Sequence, residues 1–152
     1  MKLVLRFTPR LMLAGAGLFA ACAGSPRLLV HNPPRAIGVE ELVQGAPLPS
    51  GENIRPTELR RSQDMSVHLV RIRSREQPHV HVRYDLAVVL MQGEGTLWLE
   101  GKALPMHTGD VAVIPKNTPH FFVNGGAEPA SALVVFTPPF DGPDQQPVQT
   151  AP

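Results

Sequence analysis

GDVAVIPKNTPHFFVN, residues 109–124, contains two short apolar runs joined by a turn rich in proline and asparagine. The runs 110–114 and 119–124 each have the length of a β-strand. In the second run His120 and Phe122 are two positions apart, so their side chains share one face of the strand. The stretch therefore predicts two strands, with a histidine and an aromatic ring side by side.

The flanking sequence continues the same pattern of short strands and turns. Glycine-containing turns occur at 93–95 and 124–126, and no stretch keeps helical periodicity for three turns. This pattern favours an all-β sandwich or barrel. About eighty residues make a small core, so a homodimer that buries one sheet face would help stability. The further candidate strands are 66–73, 79–91, 95–100 and 131–137.

Two more histidines occur upstream in the segment Pro78-His79-Val80-His81. In a strand, His79 and His81 point to the same face, so both imidazoles can reach one metal ion. By itself this pair is weak evidence for a metal site, because two such residues more often lie on a solvated face.

The stretch 109–124 resembles the second motif of the cupin family, G-x5-P-x-G-x2-H-x3-N. Gly109, Pro115, His120 and Asn124 occupy four of its fixed positions, and Asn117 stands in place of the second glycine. Asparagine adopts a positive φ more readily than most residues, so this departure is physically mild.

The upstream segment resembles the first cupin motif, G-x5-H-x-H-x3,4-E-x6-G, less completely. His79, His81 and Gly93 fit, whereas Leu86 occupies the glutamate position and Arg73 the first glycine position. Together the two motifs cover about half of the chain. The chain is similar to a small single-domain cupin, spanning residues 61–140.

The resemblance implies an all-β fold, a small antiparallel barrel of the double-stranded β-helix or jelly-roll type. It also implies that His79, His81 and His120 hold a divalent transition metal. Imidazole ligands suit Fe, Zn, Ni, Cu or Mn. Asp85 is a possible fourth ligand, although strand parity places Leu86 inward and Asp85 on the other face unless a bulge intervenes. The alternative is a cupin that has lost its metal and keeps the histidines as polar pocket residues.

Strand parity also predicts which side chains surround this site. The predicted pocket residues are Leu86, Val88, Leu90, Phe122 and Asn124. His68 and Tyr84 are candidates for contact with the substrate or with a ligand histidine. The alternating Arg71, Arg73 and Arg75 face solvent in the simplest reading. If they turned inward, with Arg83 nearby, they would select an anionic substrate.

The N-terminus has the features of a targeting segment. Lys2, Arg6 and Arg10 precede an apolar run, 11–21, which is about half the length of a membrane-spanning helix and reads as a signal peptide. Residues 18–22, Leu-Phe-Ala-Ala-Cys, resemble a bacterial lipobox in which Cys22 is lipidated. This predicts a lipoprotein exported to the cell envelope, on the periplasmic side of the outer membrane if the host is Gram-negative. The alternative is an ordinary cleaved signal, with Cys22 incidental.

Composition bounds the rest of the chain. Beyond Cys22 there are thirteen acidic and eleven basic residues, so the exported chain carries about two negative charges and nucleic acid is not expected as a partner. Residues 23–60 form a Pro/Gly-rich tether and N-terminal extension, in which 37–43 is apolar enough to dock on the domain. Residues 141–152 predict a disordered tail.

The fold by itself does not give the reaction. The sequence favours a small metal-dependent enzyme that performs dioxygenation, isomerisation or hydrolysis on a small organic molecule at the three histidines, with no catalytic base identified. The alternative is a non-catalytic, envelope-anchored cupin that binds a metal or a small ligand.

Overall fold

The computed structural model describes residues 25–31 and 34–149. The signal peptide and Cys22 lie outside the described residues. The elements are β1 Arg27–His31, β2 Pro34–Gly38, α1 Val39–Gly45, β3 Ile54–Arg61, β4 Ser66–Ile72, β5 His79–His81, β6 Asp85–Gln92, β7 Glu94–Leu99, β8 Lys102–His107, β9 Val111–Ile114, β10 His120–Asn124, β11 Ala130–Thr137 and β12 Gln145–Pro147.

Two five-stranded antiparallel sheets form the domain. Their strand orders are β12-β5-β10-β7-β8 and β3-β4-β11-β6-β9, while β1 and β2 pair separately. Consecutive strands often fall in different sheets, which is the connectivity of a jelly roll. The predicted all-β fold is therefore confirmed. Among the described residues, no helix has the length and apolar character that crossing a membrane would require.

The core lies between the sheets and is built from side chains of strands in both of them. In β4, His68 and Ile72 are buried, whereas Arg73, just after the strand, is exposed. Tyr84 and Leu90, 1% and 2% exposed, lie at the centre.

Two turn positions require unusual backbone geometry. Asn117 has φ +63°, as the substitution of asparagine for glycine predicts, and Gly93 has φ +96°. At Gly95 the constraint is space: a Cβ would lie 2.3 Å from the ring of Phe122 and from the carbonyl oxygen of Val123. Glycine at this position therefore lets β7 lie directly against β10.

The structure revises both ends of the predicted domain. β3 pairs with β4, so the domain includes residues 54–60, which the sequence assigns to the tether. Within that tether, Leu42 of α1 packs against Leu69. At the other end, β12 pairs with β5, so 145–147 is a strand where the sequence predicts a disordered tail. The Pro/Gln-rich composition of the C-terminal segment does not predict this strand, because the strand forms through its pairing with β5.

Candidate metal centre

Two neighbouring strands bring the three predicted histidines together. β5 carries His79 and His81 on one face, and its antiparallel pairing with β10 places His120 directly opposite His79. All three side chains are buried, and ring centroids are 4.5 Å apart for His79 and His120, 5.1 Å for His79 and His81, and 5.6 Å for His81 and His120. One ring nitrogen from each lies within 4.8 Å of the other two.

Hydrogen bonds to backbone carbonyls fix the ring orientation of two of these histidines. His79 Nδ1 lies 2.7 Å from the carbonyl oxygen of Gln77, and His120 Nδ1 lies 2.8 Å from that of Thr118. A carbonyl oxygen only accepts, so each Nδ1 carries the hydrogen and each Nε2 keeps its lone pair. Both residues therefore present Nε2 for metal binding.

A carboxylate holds the third histidine in the same tautomer. His81 Nδ1 donates to Asp144 Oδ1 over 2.6 Å, and the other carboxylate oxygen accepts from the backbone N–H of Arg83. Burial opposes ionisation of Asp144, but these two hydrogen bonds outweigh it and lower its pKa. Asp144 is thus ionised near neutral pH, and His81 also presents Nε2.

Burial favours the neutral form of two of these imidazoles, those of His81 and His120. Removal from water lowers the pKa of His120 to about 4, despite the opposing hydrogen bond to Thr118. Burial also lowers the pKa of His81, although Asp144 partly offsets it. Metal ligation requires the unprotonated ring nitrogen. At neutral pH His81 and His120 can therefore bind a cation without first losing a proton.

The donor set fits a divalent transition metal. One ring nitrogen from each of three histidines converges, and every Nδ1 is held by an oxygen, which is the usual support for metal-binding histidines. Asp85, the predicted possible ligand, does not belong to this group: it is exposed, and its Oδ1 accepts from the backbone N–H of Lys116 over 2.8 Å. β6 begins at Asp85 with regular pairing there, so no bulge turns its side chain inward.

The histidines open into a cavity of about 130 Å³ between the two sheets. Most of its lining is aliphatic or aromatic, and His68 and Glu76 add polar groups. The lining includes the predicted pocket residues Leu86, Val88, Leu90 and Phe122.

Similar proteins identify the fold family. Residues 68–136 match the cupin domain family. An uncharacterized protein of Aquifex aeolicus is 35% identical over 117 residues, which cover 77% of this chain and 95% of that protein. The chain belongs to the cupin superfamily.

Solved cupin-like structures agree with this assignment. A Klebsiella pneumoniae protein with a double-stranded β-helix domain superposes with a TM-score of 0.61 at 20% identity, covering 71% of this cupin and 95% of that chain. The nucleoside dehydratase Pac13 of Streptomyces superposes with a TM-score of 0.56 at 21% identity, covering 70% and 88%. At these identities the two structures support the fold alone.

The remaining predicted site residues of this cupin have other surroundings. Asn124 does not line the cavity: its side chain bonds the backbone of Arg73, Gly126 and Glu128 and so holds a turn. Tyr84 is buried beside the site, where its hydroxyl donates to Asp141.

His68 does line the cavity, on the opposite sheet from the metal-binding histidines. Its Nε2 lies 2.9 Å from Ser66 Oγ, and burial lowers its pKa. Arg71, Arg73 and Arg75 do not line the cavity formed by the described residues, and Arg73 donates to the carbonyls of Glu52 and Pro49 on the outside.

Three residues near the histidines were not predicted from the sequence: Glu76, Asp144 and Gln145. The carboxyl group of Glu76 points inward, and its Oε2 accepts from the backbone N–H of Phe122 over 2.8 Å. Burial raises the pKa of Glu76, with a smaller opposing effect from His79. The Gln145 amide nitrogen lies 3.2 Å from His79 Nε2.

Proposed function

We propose that this cupin is a metal-dependent enzyme that acts on a small, largely apolar organic molecule. The observation that carries the proposal is the convergence of three Nε2 atoms, from His79, His81 and His120, beside a cavity of about 130 Å³. When bound, a divalent ion supplies Lewis acidity and coordination positions for substrate or water. The chain provides the orientation of its ligands and an apolar surrounding that excludes bulk water.

The cavity limits the size and charge of the substrate. An apolar protein cavity of about 150 Å³ accepts benzene, so the reacting part of the substrate is of similar size. No lysine or arginine lines this cavity within the described ranges 25–31 and 34–149. The side chains of the cavity therefore offer no cation to a phosphate or a sulfate, and only the bound ion could balance a negative charge on the substrate.

Glu76 is the group best placed to exchange a proton with such a substrate. It lines the cavity beside His79, and burial raises its pKa towards the range where carboxyl groups serve as acids or bases. Reactions that require proton transfer, such as isomerisation and hydrolysis, are for this reason favoured over dioxygenation.

The second candidate is a binding protein without turnover. It is favoured by Leu86, which stands where the cupin motif has a glutamate and contributes only apolar surface to the cavity.

Turnover separates the two candidates. The purified chain would be loaded with each of the five candidate metals and incubated with a panel of small neutral compounds, with products followed by mass spectrometry. We expect a product that is absent with His120→Ala, and absent with Glu76→Gln although that variant keeps its metal. Binding of compounds without product, for every metal, would instead support the binding protein.

We also propose that the chain works in the cell envelope, anchored through lipid on Cys22. The support is the sequence alone: basic residues, a short apolar run and a lipobox-like segment.

A further inference from the structure

We propose that Gln145, carried by the C-terminal strand β12, is a fourth protein ligand to the ion held by the three histidines. The inference rests on the proposed metal site and adds a residue that neither cupin motif contains. The side-chain oxygen of Gln145 would take the place of the missing glutamate of the first motif.

Strand register places Gln145 on the histidine face. β12 pairs antiparallel with β5, with Gln145 opposite His81 and Pro147 opposite His79. Directly opposite residues of an antiparallel pair project their side chains to the same side of the sheet. Gln145 therefore shares its side with His81, at the rim of the cavity that both residues line.

The observed distance fits two ligands of one ion. The Gln145 amide nitrogen lies 3.2 Å from His79 Nε2, the atom whose lone pair is available. Two ligand atoms each about 2.1 Å from one ion are about 3.0 Å apart at a right angle and about 3.4 Å apart at a tetrahedral angle. The amide thus lies within reach of an ion bound to His79 Nε2.

A half-turn of the amide converts a donor into a ligand. Without metal, the amide N–H donates to the lone pair of His79 Nε2. When an ion takes that lone pair, the Gln145 side chain must withdraw from it. Rotation about the last side-chain bond then turns Oε1 towards the ion, a neutral oxygen donor of the type that metal sites use. A neutral ligand leaves the ion its full double charge, so the site is a stronger Lewis acid than one with a glutamate.

Other nearby groups fit this role less well. Leu86 has no donor atom, and the carboxylate of Asp85 accepts from the backbone N–H of Lys116. Glu76 lines the cavity, but one of its oxygens is held by the N–H of Phe122. It is also not among the described residues whose ligand atoms lie within 4.8 Å of one another.

Cobalt(II) binding to the full chain, purified without a histidine tag, tests the inference. Affinity would be measured by competition with a chelator, and the visible absorption of bound cobalt reports the number and type of its ligands. Gln145→Ala should weaken cobalt binding about tenfold or more and change the spectrum. Gln145→Glu, which restores an oxygen at the same position, should bind at least as tightly as the original chain.

Gln146→Ala is the matched control, because it removes the same side chain one position along β12, opposite Val80. It should leave affinity and spectrum unchanged. Metal-free thermal unfolding of each variant checks the fold, and Gln145→Glu tests the ligand should the alanine variant not fold. If Gln145→Ala binds cobalt within twofold of the original chain with the same spectrum, only this inference is overturned. If the original chain binds no cobalt, the proposed metal site fails as well.

Discussion

Asp144 Oδ1 lies 2.6 Å from His81 Nδ1, although 63 positions separate the two residues in the chain. His81 is one of the three candidate metal ligands. Asp144 lies in the C-terminal segment 141–152, which the sequence predicts to be a disordered tail. Two consecutive residues of that segment, Asp144 and Gln145, contact two of the three histidines. The C-terminal strand is therefore part of the site and not only a covering for it.

Loss of the Asp144 carboxylate should weaken metal binding. In Asp144→Ala, His81 Nδ1 has no acceptor, so the ring is free to rotate or to change tautomer. Removal of such partners in metal sites costs about 10–100-fold in affinity, and we expect a loss in this range for zinc, measured by chelator competition. Asp64→Ala, at an exposed position, is the control. An Asp144→Ala affinity equal to that of the control would show that this contact does not support the ligand.

The metal-free chain should lose stability as the pH falls from about 6.5 to about 4. Burial lowers the pKa of His120 from 6.5 to about 4, so in this range the unfolded chain binds more protons than the folded one. The contribution of His120 to the free energy of unfolding is fully present above pH 6.5 and lost below pH 4. It is on the order of 3 kcal/mol. Urea unfolding at several pH values measures it.

His120→Gln isolates this effect from the other titrating groups. Its free energy of unfolding should fall less steeply between pH 6.5 and 4 than that of the original chain. Equal slopes for the two proteins would mean that His120 is not held neutral by burial.

Gly95→Ala should strongly destabilise the fold. The added Cβ would lie 2.3 Å from both the ring of Phe122 and the carbonyl oxygen of Val123. The backbone oxygen cannot move without disturbing the pairing of β7 with β10, so we expect a loss of about 3 kcal/mol or more. Gly45→Ala, where a Cβ meets nothing within 4 Å, is the control in thermal unfolding. Similar unfolding temperatures for both variants would contradict this packing.

Cys22 should be the site of lipid attachment. When the gene is expressed in a bacterium supplied with radiolabelled palmitate, the label should appear on the chain and fractionate with membranes. Cys22→Ser should remove the label and release the protein from the membrane fraction. An unlabelled chain that is cleaved and soluble would instead favour an ordinary signal peptide.

The sequence predicts the strands and the three histidines because that information is local. The i, i+2 spacing of His79 and His81 and the turn at Asn117 depend on neighbouring residues only, and short-range rules suffice for them. Sequence reasoning missed Glu76, Asp144 and Gln145 because their partners are distant: Phe122, His81 and His79 lie 46, 63 and 66 positions away. Contacts between residues so far apart in the chain form only when the two sheets have assembled, so local sequence rules do not predict them.

Parity within a strand also has limits, as Asn124 and Asp85 demonstrate. Asn124 is an even number of residues from His120, so strand alternation predicts that both side chains share one face. Asn124 lies at the end of β10, however, and its amide forms hydrogen bonds with backbone groups of the following turn. Asp85 begins β6, and its carboxylate bonds the loop that follows β9. A side chain at a strand end therefore bonds nearby backbone groups before it contributes to a central cavity.

Elemental mass spectrometry of the chain, purified without a histidine tag, shows whether the three histidines bind a metal ion. We expect about one divalent transition metal ion per chain, lost in His120→Ala and kept in Asp85→Ala. The absence of bound metal after reconstitution with iron, zinc, copper, nickel and manganese would contradict it, as would equal metal content in His120→Ala.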